Sequence, residues 1–177
     1  MKRAINGMKR TVVETPLEIK ALGKNVGHEG EPLLYGNLYL NNKKVGYVSE
    51  GDWGGMANIM IEPQYREVVR EEAEKFYNAT PQPFSFDIEF ALVELLYMKQ
   101  AETEMKRSDK KKALYELHMT NNKYMPRFWY SQFFAPTIQN LLTLQAITDE
   151  DITSLSGCTV YTLGSNKKCG KLYYTYQ

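Results

Sequence analysis

The chain has 177 residues, of which 43% are hydrophobic, and its formal net charge is +1. This length and apolar content predict a single domain with a sizeable core. The near-zero net charge excludes an acidic mimic of DNA and also a polybasic protein held to nucleic acid by bulk charge.

Strands are predicted over most of the N-terminal third. Apolar and polar side chains alternate over 17–22 until Gly23, and three more strands are predicted at 33–40, 44–48 and 56–61. The turn residues Asn41-Asn42-Lys43 separate two of these strands, which therefore form the clearest hairpin of the chain.

Helices are predicted in the middle of the chain. Apolar residues repeat at spacings of three and four over 64–77, and a more apolar stripe with Ser85 as N-cap follows over 85–107. Further helices are predicted at 108–120, 137–147 and 148–156.

This order of elements predicts an α+β fold with an N-terminal antiparallel β-hairpin sheet, central helices and a C-terminal β-hairpin. We expect one domain over 1–177. It consists of a β-rich part at 1–62, a helical part at 63–157 and a hairpin at 158–177.

The N-terminus and the cysteines indicate the compartment. The chain begins with a polar stretch instead of a signal peptide, and no window approaches about 18 uninterrupted apolar residues. Cys158 lies on a predicted strand of the last hairpin and Cys169 in its loop, so no disulfide is expected. We therefore expect a cytoplasmic protein without membrane contact.

Signatures of cofactor-dependent enzymes are missing from the sequence. It contains no P-loop, dinucleotide fingerprint, HExxH or GxSxG. Two cysteines and two distant histidines are too few for a zinc site of about four ligands. We expect no cofactor, with a divalent ion such as magnesium as the one alternative.

The first of two glycine-bounded loops is Gly27-His28-Glu29-Gly30. Because an imidazole titrates near neutrality, His28 with Glu29 or Asp52 is a candidate acid–base set. Such a set could cleave a phosphodiester through its own 2′-OH, with Lys24 or Lys44 as the nearby cation. The alternative is an exposed turn carrying two polar residues.

The second loop is Glu50-Gly51-Asp52-Trp53-Gly54-Gly55. Glu50 and Asp52, together with Glu29, are candidate oxygen ligands for a divalent ion, although their spacing matches no metal motif. Trp53 is a candidate contact for a base or for a protein partner. The alternative is that Trp53 closes the end of a β-sheet core.

Two further segments carry candidate partner-binding residues. Arg127 and Trp129 lie in an aromatic stretch, a mixture that stacks on single-stranded nucleic acid and also forms protein hot spots. Lys110 and Lys111 belong to a basic run that is suited to phosphate contacts. The alternatives are core packing for the aromatic stretch and a solvated helix junction for the lysines.

The segment LYGNLYLNNKKVGY, residues 34–47, resembles small accessory proteins of phages and conjugative elements in low-GC bacteria. That group includes anti-CRISPR inhibitors of type II (Cas9) systems, so the resemblance implies a protein or ribonucleoprotein target. Some of these inhibitors block the effector sterically, and others act enzymatically on it or on its guide RNA. They share no fold or motif, so the resemblance assigns no catalytic residue.

The leading hypothesis is therefore an inhibitor of a Cas9–guide RNA complex, which acts by binding the complex or by promoting cleavage of the guide. One alternative is a non-enzymatic module that binds RNA or single-stranded DNA. The other is a homodimeric interaction protein of a mobile element.

Overall fold

The structure is a computed structural model that describes residues 9–82, 84–107, 113–119, 127–130 and 155–175, the stretches 9–10, 113–119, 127–130, 155–158 and 174–175 by their backbone only. It confirms the α+β class. The elements are β1 (Lys9–Val13), β2 (Leu17–Val26), β3 (Pro32–Leu40), β4 (Lys43–Ser49), β5 (Asn58–Ile61), α1 (Arg66–Asn78), α2 (Ile88–Arg107), β6 (Ala113–Met119), β7 (Arg127–Tyr130), β8 (Leu155–Leu163) and β9 (Cys169–Thr175).

The chain divides into two compact units, each built on its own antiparallel sheet. One unit is Glu14–Gln100, and the other combines Met1–Val13 with Ala101–Gln177. The first contains the sheet β2-β3-β4-β5, and the second contains the sheet β1-β9-β8-β6-β7. A single cooperative domain over 1–177 stays a prediction.

The predicted hairpin around Asn41 and Asn42 is confirmed as β3 and β4. Both asparagines have positive φ, 48° and 65°, as required at the two central positions of a type I′ turn, whose twist matches that of the paired strands. Asparagine tolerates this left-handed conformation better than most residues. Local sequence chemistry therefore sets the register of the central pair of strands.

One face of the first sheet is buried beneath helical side chains. Alternate residues of β3 are buried from Leu34 to Leu40, as the period of two requires. The predicted apolar stripes of both helices are confirmed, because the buried positions recur at spacings of three and four. They are Val69, Ala73, Phe76 and Tyr77 in α1, and Ala91, Leu92, Leu95 and Leu96 in α2.

The predicted third helix at 108–120 is wrong, because residues 113–119 form β6. This strand pairs with β7 on one side and β8 on the other, so two ladders of hydrogen bonds outweigh the weak helical spacing of Leu114 and Leu117. His118 accordingly lies on a strand, opposite Arg127 and Gly157. The alternation of Glu116 and His118 with apolar residues is the strand signal that the helical prediction overlooked.

Among the described residues of the helical part predicted at 63–157, the helices lie before residue 108 and the segments described after it are strands. Strand β7 lies within the aromatic stretch, and β8 already begins at Leu155. The helix predicted at 137–147, and all but the last two residues of the one at 148–156, lie outside the described residues. The C-terminal hairpin is confirmed as β8 and β9, with Cys158 opposite Tyr174. Cys169, predicted in the loop, is instead the first residue of β9, opposite Leu163.

We predict that Gly46→Ala destabilises the first unit. A methyl group at Gly46 would lie 2.2 Å from the backbone oxygen of Met60 on the neighbouring strand, so the two strands would have to separate. Overpacking of this kind costs about 1–3 kcal/mol of unfolding free energy, measurable by urea denaturation. Gly170→Ala is the matched control, since a methyl there lies 3.9 Å from the nearest atom, Thr162 O. Equal effects of the two substitutions would contradict the prediction.

Candidate functional site

The two glycine-bounded loops lie side by side at one end of the first sheet. Residues 27–31 connect β2 to β3, and residues 50–57 connect β4 to β5. Strands β3 and β4 are paired, with Tyr35 opposite Ser49, so the start of β3 and the end of β4 are neighbours. The backbone N–H of Glu50 extends this pairing by donating to the carbonyl of Leu34 at 2.8 Å. We call the exposed surface of these two loops the loop surface.

The carboxylate of Asp52 joins the two loops. The backbone N–H of His28 donates to both of its oxygens, each at 3.1 Å, and the N–H of Trp53 donates to Oδ1 at 2.8 Å. These bonds are charge-assisted, which makes each stronger than a bond between neutral groups. Asp52 therefore acts as the acceptor that fixes one loop against the other.

Trp53 is held in an uncommon conformation and exposed to solvent. It lies in a 3-10 turn, Asp52–Gly54, with φ 59° and ψ 29°, a left-handed geometry that costs a bulky residue free energy. The N–H of Gly55 closes the turn by donating to the carbonyl of Asp52 at 2.9 Å. The Trp53 side chain is 67% exposed. The turn thus presents a large aromatic ring outward.

The imidazole of His28 packs against Trp53. The two ring centroids are 4.3 Å apart and the ring planes are tilted by 34°. This distance is slightly below the usual range of about 4.5–7 Å for aromatic pairs, so the two rings are in close contact. Asp52 therefore fixes the backbone that carries Trp53, and His28 packs against the Trp53 ring.

A tight turn fixes the first loop. Gly30 has a φ of 83°, which favours glycine, and its N–H donates to the carbonyl of Gly27 at 3.1 Å. The Glu31 carboxylate accepts the N–H of Glu29 at 2.9 Å, while the Glu31 carbonyl accepts the N–H of Gly27 at 2.7 Å. Glu31 was missed in the sequence because nothing there distinguishes it from an ordinary solvated carboxylate.

Helix α2 anchors the second loop at both of its ends. The Glu50 carboxylate accepts the N–H of Leu34 at 2.7 Å and the hydroxyl of Tyr97. Burial and this hydrogen bond raise the pKa of Tyr97 to about 12. At the other end, the N–H of Ala57 donates to the carboxylate of Glu89 at 2.7 Å. Tyr97 and Glu89 could not be connected to the loop from sequence because they are far from it along the chain.

Large apolar side chains surround the loop surface. Met56 is 83% exposed and Val26, the last residue of β2, is 79% exposed. Several exposed apolar side chains in one region of a folded unit are typical of an interaction surface.

The loop surface is acidic. Within 27–31 and 50–57 the sequence places four carboxylates and no lysine or arginine. The carboxylates belong to Glu29, Glu31, Glu50 and Asp52. A second concave region, a groove of 810 Å³ beside β5 and α1, has a mixed rim instead, with Lys44, Arg66 and Arg70 beside Glu62 and Glu67. Of these two regions, the loop surface is the one that combines an exposed aromatic ring with charge of one sign.

Of the three predicted catalytic residues, the structure brings His28 and Asp52 together. The described contact joins the Asp52 carboxylate to the backbone N–H of His28 and not to its imidazole. Both oxygens of Asp52 accept backbone N–H groups, and the His28 ring lies against Trp53. Glu29 lies in the same turn, where its N–H is bound by Glu31. Across the residues that the structure describes, no three His, Cys, Asp or Glu side chains are grouped so as to hold a metal ion.

The other predicted partner-binding residues lie outside the two loops in the sequence. Arg127 and Trp129 lie on β7 in the second unit, two residues apart and so on one face of the strand, opposite His118 and Glu116. Lys110 and Lys111 lie outside the described residues.

Comparisons of this chain with protein-family models, with curated proteins and with solved structures found no match. Among the described residues, neither helix is long and apolar enough to cross a membrane.

We predict that Asp52→Ala releases the two loops from each other. The substitution removes the acceptor of the His28 and Trp53 amides, whose net contribution is about 1–3 kcal/mol for bonds to a charged group. The amide of His28 should then exchange with solvent deuterium at least about fivefold faster in native conditions, because each 1.4 kcal/mol of opening free energy is a factor of ten. Glu29→Gln, which leaves the Asp52 bonds in place, is the control. Unchanged His28 exchange in Asp52→Ala would show that the carboxylate does not join the loops.

We predict that Tyr97 makes unfolding free energy fall at high pH. Its folded pKa of about 12 lies above the ordinary value of 10.0, so the folded state holds the proton more tightly. The stabilisation is complete below pH 10 and is lost as the pH rises toward 12. Urea denaturation at a series of pH values should therefore show the stability advantage of the native chain over Tyr97→Phe shrinking across this window. A constant difference would contradict the prediction.

Proposed function

We propose that this chain is a binding protein that blocks a macromolecular target sterically. The observation that carries the proposal is the exposed ring of Trp53, which packs against His28 and stands on a backbone held by hydrogen bonds. A side chain that is already ordered loses little conformational entropy on binding, and tryptophan is among the residues most enriched in binding hot spots. The exposed Met56 and Val26 beside it supply the apolar area that usually surrounds such a residue.

The described contacts favour binding over catalysis at this surface. A general base needs its imidazole within hydrogen-bond reach of the proton it removes, oriented by a partner on the other ring nitrogen. The described partner of the His28 ring is Trp53, and the Asp52 carboxylate is bound by amides. These contacts support a role for His28 and Asp52 in shaping the surface.

We propose a Cas9–guide RNA complex as the target. This part of the proposal rests on the resemblance of residues 34–47 to small accessory proteins of phages and conjugative elements. In the fold, that segment forms most of β3 and β4, the two strands that carry one side of each loop. A binding protein of this group would act by covering a surface that the effector needs, leaving the guide intact.

The test is a single reaction with two measurements. Purified protein is added to Cas9, guide RNA, magnesium and target DNA, and both the cleavage of the target and the length of the guide are followed. We expect target cleavage to be inhibited while the guide stays intact. A shortened guide would support the alternative of guide cleavage, and no effect on either molecule would refute Cas9 as the target.

Variants of the loop surface should then lose the inhibition. Trp53→Ala should raise the concentration needed for half-inhibition about thirtyfold, the size expected for a hot spot of about 2 kcal/mol. Met56→Ala should also weaken inhibition, whereas Met60→Ala, an equally conservative change of an exposed methionine on β5, should not. Full inhibition by Trp53→Ala would place the binding surface elsewhere on the chain.

A further inference from the structure

We further propose that Trp53 receives an arginine side chain from a basic segment of a protein partner. This proposal rests on the loop surface being the binding surface. It specifies the chemistry of the partner: the guanidinium lies over the free face of the Trp53 ring, and the surrounding carboxylates balance its charge.

The first observation is that the charge of the loop surface is uncompensated. The chain as a whole is almost neutral at +1, yet the four loop carboxylates have no lysine or arginine among them. The ion pairs among described residues lie elsewhere, at Lys20–Glu18, Lys75–Glu72 and Lys106–Glu102. The nearest basic residue along the chain is Lys24, on β2. The field at the loop surface therefore attracts cations.

The second observation is that cationic side chains of this chain lie over other aromatic rings. Three of them are covered by a cation from the chain itself, at 4.6 Å for Lys20 over Tyr39, 4.9 Å for Lys43 over Tyr65 and 5.6 Å for Arg70 over Phe86. Trp53 is the ring type that binds cations best, and within the described residues its ring contact is with His28. Its exposure of 67% leaves the opposite face open to a ligand.

Arginine fits this surface better than lysine or nucleic acid. A planar guanidinium stacks on an indole and still donates from its edge to carboxylates, whereas an ammonium is a compact, strongly hydrated point charge. Glu29, with an exposed side chain in the turn that carries His28, is the carboxylate best placed to accept such a donor. The phosphates of RNA or DNA would be repelled by the same carboxylates, because nucleic-acid affinity depends on neutralising phosphate charge.

The test uses the full chain labelled with 5-fluorotryptophan and the peptide pentaarginine as probe. The chain has two tryptophans, so fluorine NMR shows two signals, and Trp53→Phe assigns them. We expect pentaarginine to shift the Trp53 signal saturably and pentalysine to bind more weakly. Pentaglutamate and a ten-nucleotide single-stranded RNA should leave the signal in place.

Charge variants separate a specific site from general attraction. Glu29→Gln should weaken pentaarginine binding about two- to fivefold, as expected for an exposed charge pair. Glu71→Gln, which removes the same charge from the exposed side of α1, should leave the affinity unchanged. Trp53→Ala should weaken binding about tenfold by calorimetry, because the cation–π contact is lost.

Three outcomes would overturn the proposal. The first is that pentaarginine does not shift the Trp53 signal. The second is that Glu29→Gln and Glu71→Gln lose equal amounts of affinity for pentaarginine. The third is that the RNA, and not the peptide, shifts the Trp53 signal. A Trp53 signal that moves with protein concentration alone would show that a second copy of this chain occupies the surface, which also contradicts the proposal.

Peptide binding without inhibition of Cas9 would refute the target proposed above while leaving the arginine site standing. If the native chain does not bind the peptide but Trp53→Ala abolishes inhibition, the arginine site is refuted and the proposed target stands.

Discussion

The arrangement of the loop surface depends on one carboxylate that accepts amides from two loops. Asp52 receives the N–H groups of His28 and Trp53, which belong to connections separated by two strands of sequence. An ionised carboxylate has several acceptor positions, so a single side chain satisfies both donors. The unfavourable left-handed backbone of Trp53 persists because these bonds and the short turn around it offset its cost.

The sheet and α2 supply the rigid base beneath this surface. Strands β3 and β4 bring the loop ends together, and α2 holds the second loop through Tyr97 at one end and Glu89 at the other. In the proposed binding, a loop already held by such a base needs little further ordering, so less of the free energy of contact is offset by lost conformational entropy.

Charge and aromaticity are distributed unevenly in a chain whose composition is nearly neutral. Lysine and arginine cover the rings of Tyr39, Tyr65 and Phe86, while the loops around Trp53 carry carboxylates alone. The net charge of the chain therefore says little about a binding partner, because a partner interacts with the charged residues of the local surface. In the proposed interaction, carboxylates in the same loops as exposed apolar and aromatic side chains favour a basic protein segment over nucleic acid.

Local chemistry in the sequence determined the elements whose signals are short-ranged: the Asn41-Asn42 hairpin, the amphipathic α1, the apolar α2 and the C-terminal hairpin. It also singled out His28, Asp52 and Trp53, because ionisable and aromatic residues between glycines are visible without coordinates. Tertiary structure decided the rest. Residues 113–119 became a strand because two neighbouring strands pair with them. Asp52 became a link between loops, and Glu50 a partner of Tyr97, because sheet pairing and helix packing join residues that no local pattern connects.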